Sequence, residues 1–118
     1  PTVTKEHKGV DYDVSKGTAI HAMKGGILTH HDAGEDGAGK FIKIKHQNNT
    51  WSKYFHLSRD HGLNIHETNS QVRKGERIGY SGNTGASTGP HLHLELRGAS
   101  SGGKVLDPKP FARTVFGH

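Results

Sequence analysis

Short runs in which apolar and polar residues alternate, separated by clusters of turn-forming residues, make up most of this chain. No long stretch keeps the apolar period of about 3.6 residues that marks an amphipathic helix. In Lys40–Lys45 isoleucines alternate with lysines, as in a strand with one buried face. Short strands between turn clusters are typical of β proteins. We therefore predict one compact, mostly β domain over residues 1–118, built of antiparallel sheets.

Neighbouring runs predict two hairpins. Lys40–Lys45 and Trp51–Leu57 flank the turn residues Gln47–Asn49, and Thr18–Ala22 is expected to pair with Gly26–His30 in the same way. The other predicted elements are a short strand, one helical turn and a tail that packs back on the sheet: Arg77–Tyr80, Leu57–His61 and Val105–His118.

The run His91–Arg97 alternates strictly. Its three leucines share one face of a strand, and the other face carries the polar side chains His91, His93, Glu95 and Arg97. Residues two apart on a strand are about 6.5–7 Å apart along the chain. That separation suits one metal ligand with a second group beside it better than two ligands of one ion.

Histidine is unusually frequent, with 11 residues against 11 Asp and Glu together. His7 and Asp11 are four positions apart, so they face the same way on a strand and are neighbours on a helix. With one histidine of the pair His91 and His93 they supply two imidazoles and a carboxylate. That ligand set, with a fourth position left to water, is typical of a hydrolytic zinc site. His56 adds a further imidazole from a predicted strand.

The remaining histidines share no spacing or strand context, and we predict no site role for them: His21, His30, His31, His46, His61, His66 and His118. The ligand types alone would also fit a two-histidine, one-carboxylate iron oxygenase. In that class the first two ligands usually lie closer in sequence, and His56 and His91 would have no purpose.

Composition removes several other classes of protein. The chain of 118 residues has no cysteine, which excludes disulfides and thiolate metal sites. No apolar run approaches the roughly 20 residues of a membrane span. Its formal charge is +5, but 7% aromatic residues and the absence of long basic runs argue against a nucleic-acid binder. It begins at Pro1 without a leader that is first basic and then apolar, so we expect a processed or excised domain. We also expect a monomer.

Five blocks of the sequence, in this order, resemble the M23 family of lysostaphin/LytM-type peptidoglycan endopeptidases. The resemblance runs from His7 to about Phe111, nearly the whole chain. It is specific, because the patterns HxGxD, YxHL and GPHLH rarely occur together elsewhere. The five blocks are His7–Asp11, Gly17–Ile20, Tyr54–Leu57, Gly75–Gly82 and Thr88–Glu95.

The resemblance implies a compact antiparallel β fold with a loop-walled groove over one zinc ion per chain. By this likeness His7, Asp11 and His93 correspond to the zinc ligands, and His56 and His91 correspond to two catalytic histidines that do not bind the metal. Zinc in such a site lowers the pKa of its bound water toward about 7. Which histidine takes the proton and which stabilises the oxyanion is open at this point.

Three expectations concern the surroundings of the site. Glu95 is two residues past His93 and is expected to contact a ligand rather than the metal. The loops Ala33–Lys40 and Leu63–Gln71 are expected to form the groove walls. Only six residues precede His7, so the upstream wall of the family is shortened or missing.

The function implied by the resemblance is zinc-dependent hydrolysis of a peptide bond in bacterial peptidoglycan, in a stem or a cross-bridge. Gly-Gly, D-Ala-Gly and D-Ala-diaminopimelate bonds are all open. The positive charge fits adsorption to an anionic cell-wall surface, and we expect a secreted protein, or part of a larger or phage-encoded lytic one. The alternative is an inactive zinc-containing module that binds or regulates at the wall.

Overall fold

The computed structural model describes residues 9–32, 34, 39–58, 66–83, 89–98 and 105–117, and these are mostly antiparallel β-sheet. The predicted fold class is confirmed. In chain order the elements are β1 Val10–Tyr12, β2 Ala19–His21, β3 Gly26–Asp32, β4 Lys40–Lys45, β5 Trp51–Leu57, β6 Ser70–Val72, β7 Arg77–Tyr80, β8 Leu92–Arg97, β9 Val105–Leu106, a 3₁₀ turn Lys109–Phe111 and α1 Ala112–Val115.

The described strands form two sheets. The large sheet has the strand order β1-β8-β5-β4-β3-β6, with β9 also paired to β8, and the small sheet consists of β2 and β7. All of these pairings are antiparallel. No described helix is both long and apolar enough to cross a membrane.

The predicted β4–β5 hairpin is confirmed, and the predicted pairing of Thr18–Ala22 with Gly26–His30 is wrong. β2 pairs with β7 instead, and β3 lies between β4 and β6. Both hydrogen-bonding edges of β3 are therefore used at Ile27 and Leu28, which leaves no edge for β2 there. The short β6 was also missed: Ser70 and Gln71, predicted as the end of a loop, belong to this strand.

The C-terminal segment packs back on the sheet as predicted, through residue 117. β9 pairs with β8, and Val115 of α1 is completely buried. The helix itself was not predicted, because four residues are too few to show a helical period. The helical turn expected at Leu57–His61 is not borne out where it can be seen, since Leu57 closes β5 and residues 59–61 lie outside the described part.

One face of the large sheet carries the apolar core. The other face, which we call the open face, carries mostly polar side chains, of which His93 and Glu95 are themselves buried. Ile42 and Ile44 of β4 are 2% and 0% exposed, while Lys43 between them is half-buried on the open side. In β8 the leucines Leu92, Leu94 and Leu96 face the core, as the alternation predicted. The open face therefore carries the alternate residues of each strand, among them Asp11 of β1, which pairs with His93 of β8.

A chain of hydrogen bonds crosses the core beneath this sheet. The backbone N–H of Met23 donates to the hydroxyl of the fully buried Tyr54 at 2.9 Å, and that hydroxyl lies 2.7 Å from Ser52 Oγ. Ser52 in turn bonds to His46 Nε2 at 3.0 Å, while His46 Nδ1–H donates to the carbonyl of Gly25 at 2.7 Å. Burial raises the pKa of Tyr54 to about 12, so the phenol stays neutral and every member of this chain has a partner.

Tyr54→Phe is expected to lower the free energy of unfolding by about 1–3 kcal/mol, because the buried Met23 N–H loses its acceptor. The matched control is Tyr12→Phe. Tyr12 is also buried, but its hydroxyl oxygen is the one buried side-chain nitrogen or oxygen atom in the described residues with no hydrogen-bond partner. Removing it should therefore leave the free energy of unfolding unchanged or raise it. Urea denaturation of both variants measures the difference. Equal losses would show that the hydrogen-bonded chain adds no stability.

Candidate active site

Two of the three predicted zinc ligands face each other on neighbouring strands. Asp11 of β1 and His93 of β8 are directly paired in the sheet, so their side chains leave the same face at the same level. His93 Nδ1 lies 2.6 Å from Asp11 Oδ1. The third predicted ligand, His7, lies outside the described residues.

The glycine of the HxGxD pattern has a steric reason. A side chain at Gly9 would collide with the backbone carbonyl of Leu94 and would come within 2.8 Å of Glu95 Cγ. Gly9 therefore lets the start of β1 lie directly against β8, beneath the Glu95 side chain. This close approach brings Asp11 into register with His93.

Glu95 lies behind His93, as the sequence predicted. His93 Nε2–H donates to Glu95 Oε2 at 2.9 Å, and Arg97 Nε–H donates to Glu95 Oε1 at 3.0 Å. Burial alone would raise the pKa of Glu95, but the hydrogen bonds from His93 and Arg97 and their positive charge lower it. The carboxylate is therefore ionised and holds the Nε2 proton, which turns Nδ1 of His93 toward Asp11.

This arrangement fits a bound cation. In a neutral His93 with its proton on Nε2, the Nδ1 lone pair would face the carboxylate of Asp11 at 2.6 Å, and a proton between them removes that repulsion. Burial lowers the pKa of His93, but hydrogen bonds to Glu95 and Asp11 outweigh it and raise the pKa. An imidazole and a carboxylate are also ordinary zinc ligands. Within the described residues no three such side chains are gathered closely enough to form a complete site.

Glu95→Ala is expected to lower zinc affinity by roughly 10- to 100-fold, the usual cost of losing the partner that orients a metal-bound histidine. Glu95→Gln should recover part of that loss, since its amide oxygen still accepts the Nε2–H of His93. Competition with a fluorescent zinc chelator measures both affinities. Unchanged affinity in Glu95→Ala would rule out an orienting role for Glu95.

His56 reaches the open face through an irregularity of β5. The β4–β5 pairing shifts between Lys40 and Ile42, and His56 has a left-handed backbone, with φ of 62°. Such bulges bend a strand and redirect its side chains. Regular alternation would turn His56 toward the core with Tyr54, two residues before it. The bulge instead brings its ring beside His91.

His56 and His91 form a second pair of imidazoles next to the first. Their ring centroids are 4.7 Å apart and the ring planes are tilted by 50°, so the two rings contact each other. His91 Nδ1–H donates to the carbonyl of Gly89 at 2.8 Å. The neutral ring therefore has its lone pair on Nε2, which lies 3.9 Å from Asp11 Oδ1.

An aromatic row that the sequence analysis missed extends from the site across the open face. The Phe55 ring stacks on His93 at 5.1 Å and 12°, the Phe41 ring meets Phe55 edge-on at 5.1 Å, and His31 stacks on Phe41 at 4.9 Å. The signal was present in the alternation, which puts Phe41 and Phe55 on the polar faces of their strands. The sequence predicted no site role for His31, because it shares no spacing or strand context with the other histidines.

The other histidines with no predicted site role make structural contacts where they are described. His21 bonds to the carbonyl of Gly75, and His66 contacts Glu76 and the carbonyl of Arg77. His61 and His118 lie outside the described residues. Parts of the two loops predicted as groove walls also lie outside them, namely residues 33, 35–38 and 63–65.

The fold is mostly antiparallel β, and histidines and carboxylates gather on the open face of one sheet. These two features agree with the family match that follows. The chain belongs to peptidase family M23, whose family model matches residues 5–108. The match includes every residue of the site described above, and His7.

Similar proteins include two curated peptidases and one solved structure. The chain is 37% identical to the peptidoglycan DD-endopeptidase ShyA of Vibrio cholerae, over 76% of this chain and 20% of ShyA. It is 32% identical to the glycyl-glycine endopeptidase ALE-1 of Staphylococcus capitis, over 92% of this chain and 30% of ALE-1. The catalytic domain of the antimicrobial peptidase lysostaphin from Staphylococcus simulans matches with a TM-score of 0.75 and 32% identity, covering 91% of this chain and 79% of that domain.

The chain spans about a fifth of the length of the first curated relatives that it matches. What is shared with them is therefore this one domain.

Proposed function

We propose that this domain is a zinc-dependent endopeptidase that hydrolyses a peptide bond in bacterial peptidoglycan, acting on the cell wall outside the membrane. The observation that carries the proposal is that two pairs of side chains lie next to each other on one face of the large sheet. The pair Asp11 and His93 suits a metal, and the pair His56 and His91 stands beside it. Membership of peptidase family M23 supports the same reading.

His93, Asp11 and His7 would hold one zinc ion per chain. Bound zinc would supply a Lewis acid that polarises the scissile carbonyl and makes a water molecule acidic enough to lose a proton near neutral pH. Asp11 contributes a negative charge to the ligand set, and Glu95 keeps His93 in the tautomer that presents Nδ1.

We assign proton transfer to His91 and stabilisation of the oxyanion to His56. Gly89 fixes the His91 proton on Nδ1, so Nε2 faces the ligand pair with its lone pair and accepts a proton there. His56 contacts the His91 ring and can donate an N–H to the oxygen on which negative charge develops. His56 is buried and His91 is half-buried, and this shielding from water strengthens the electrostatic interactions of both rings.

The names of the two curated relatives cover two kinds of bond. One is a peptidoglycan DD-endopeptidase and the other a glycyl-glycine endopeptidase. The test therefore incubates the purified, zinc-loaded protein with cell walls of several cross-bridge types and follows turbidity and newly released amines. We expect amine release from at least one wall type, and release from the same walls slowed by roughly 10²–10⁴-fold in the His91→Ala variant.

The same assay distinguishes the alternative. A protein that sediments with every wall but releases no amine from any of them is a zinc-containing binding module. That outcome would overturn the proposed endopeptidase activity and leave the metal assignment standing.

A further inference from the structure

A cleft at the far end of the large sheet carries a concentrated positive charge. Its volume is about 980 Å³, and its lining includes Lys24, Lys45, Arg73 and Lys74. None of its described lining residues is a carboxylate. Glu76, which follows these cations in the chain, instead accepts from the backbone N–H of Arg73 and pairs with His66. We call these four cations and the space between them the basic cleft.

Three turns form the walls of the basic cleft, and hydrogen bonds fix each of them. His46 joins the turn after β4 to the turn before β3 by donating to the carbonyl of Gly25. In the turn after β6, the N–H of Gly75 donates to the carbonyl of Ala22 at 2.8 Å, and the N–H of Ala22 donates to the carbonyl of Glu76 at 2.8 Å. The walls are therefore held in place by the protein itself, and binding a ligand need not order them.

Neutral donors stand among the cations. The turn between β4 and β5 contributes Gln47, Asn48 and Asn49 to the lining, and β6 contributes Gln71. Thr50 Oγ1–H donates to Asn48 Oδ1 at 2.6 Å, which leaves the NH₂ end of that side chain as its donor. Cations beside amide groups suit a ligand that carries both negative oxygens and hydroxyl groups.

Aromatic rings hold two of these cations without neutralising them. Lys24 Nζ lies 5.0 Å from the centre of the Phe111 ring, and Lys45 Nζ lies 5.5 Å from that of Trp51. A cation–π contact restrains the side chain but, unlike an ion pair, leaves the full charge to attract an anion. Lys43 Nζ also lies over Trp51, at 4.8 Å, so positive charge continues from the cleft onto the open face.

The basic cleft is separate from the candidate active site but shares its sheet. In β4, Phe41 belongs to the aromatic row beside the site and Lys45 lines the cleft. They are four positions apart on the strand, a distance of about 13 Å. A polymer held in the cleft would therefore lie beside a peptide bound at the site without occupying it.

We propose that the basic cleft binds a polyol-phosphate or sugar-phosphate polymer. The site rests on the charges and amides described above, and the choice of this polymer also rests on the proposed action at a cell wall. Phosphodiesters repeat along such a chain and present several charges to several cations, and lysine binds phosphate as a point charge. The hydroxyls between the phosphates match the amide donors.

The test is calorimetric titration with a polyglycerol phosphate of defined length, using the whole chain. The variant Lys24→Gln/Arg73→Gln/Lys74→Gln should bind about tenfold more weakly, since each exposed cation contributes modestly. The control Lys16→Gln/Lys109→Gln/Arg113→Gln loses the same charge outside the cleft and should bind like the unchanged protein. Equal weakening in both variants would mean attraction to net charge alone and would overturn the proposal.

Two further arms decide the ligand chemistry. Polyglutamate of the same length supplies carboxylates, and inorganic phosphate supplies a single anion; binding of either as tight as that of the polymer would contradict the assignment. Activity separates this proposal from the proposed function. The cleft variant should cut a short soluble peptide at the normal rate, and should cut phosphate-polymer-bearing walls more slowly, but not walls stripped of that polymer.

Discussion

His93→Ala and Asp11→Ala are each expected to lose zinc and peptidase activity together. The two side chains meet at 2.6 Å from directly paired residues, so removing either one leaves an incomplete ligand set. The loss should exceed the roughly 100-fold that follows removal of a supporting residue such as Glu95. Elemental analysis of the purified variants and amine release from cell walls measure the two effects.

The matched control for these variants is His31→Ala. His31 lies on the same open face, stacked on Phe41, and has no role as a ligand in the proposal. It should keep its zinc. Full zinc occupancy in either His93→Ala or Asp11→Ala would contradict the ligand assignment.

His91→Ala and a replacement of His56 are expected to keep the fold and the zinc but to slow hydrolysis by roughly 10²–10⁴-fold, the usual contribution of one acid–base group. The choice of the His56 variant matters, because its backbone is left-handed. Alanine is strained in that conformation, whereas asparagine adopts it more readily. His56→Asn therefore removes the imidazole with the least disturbance of the bulge.

Circular dichroism, zinc content and the rate on one soluble peptide are measured for each of these variants. A His91→Ala protein without zinc would make His91 a ligand and reverse the division of roles. A fully active His56→Asn protein would show that His91 serves without its neighbour.

The strands that carry the site could be predicted because each has one apolar face that packs in the core. Alternation in Lys40–Lys45 and in the leucines of β8 gave both the strands and the faces. The partner of β2 could not be predicted, since a hairpin between neighbours in sequence is only the commonest choice. The decision depends on which edges of β3 are already bonded, to β4 and β6, and no local pattern records that.

The position of the His56 side chain was equally inaccessible from the sequence. Its family resemblance indicated a catalytic role, but alternation in β5 would have turned it inward with Tyr54. The bulge arises where β5 changes its neighbour on one edge. Phe55 pairs with His93 of β8, whereas Leu57 bridges to Ser81, the residue after β7. Gly82 permits this crossing, because a side chain there would lie 2.6 Å from the backbone of Ser58. Long-range contacts of this kind set the local geometry.

The direct pairing of Asp11 with His93 makes correct folding a condition for assembling the site. A slip of one residue between β1 and β8 would turn Asp11 inward and would expose Val10 and Tyr12, which are 2% and 9% exposed in the native register. Burial of the apolar side chains on the back of the sheet therefore favours the register that brings the ligands on its front together. A misaligned chain would lose its core packing and its metal-binding pair together, so no stable alternative register keeps one without the other.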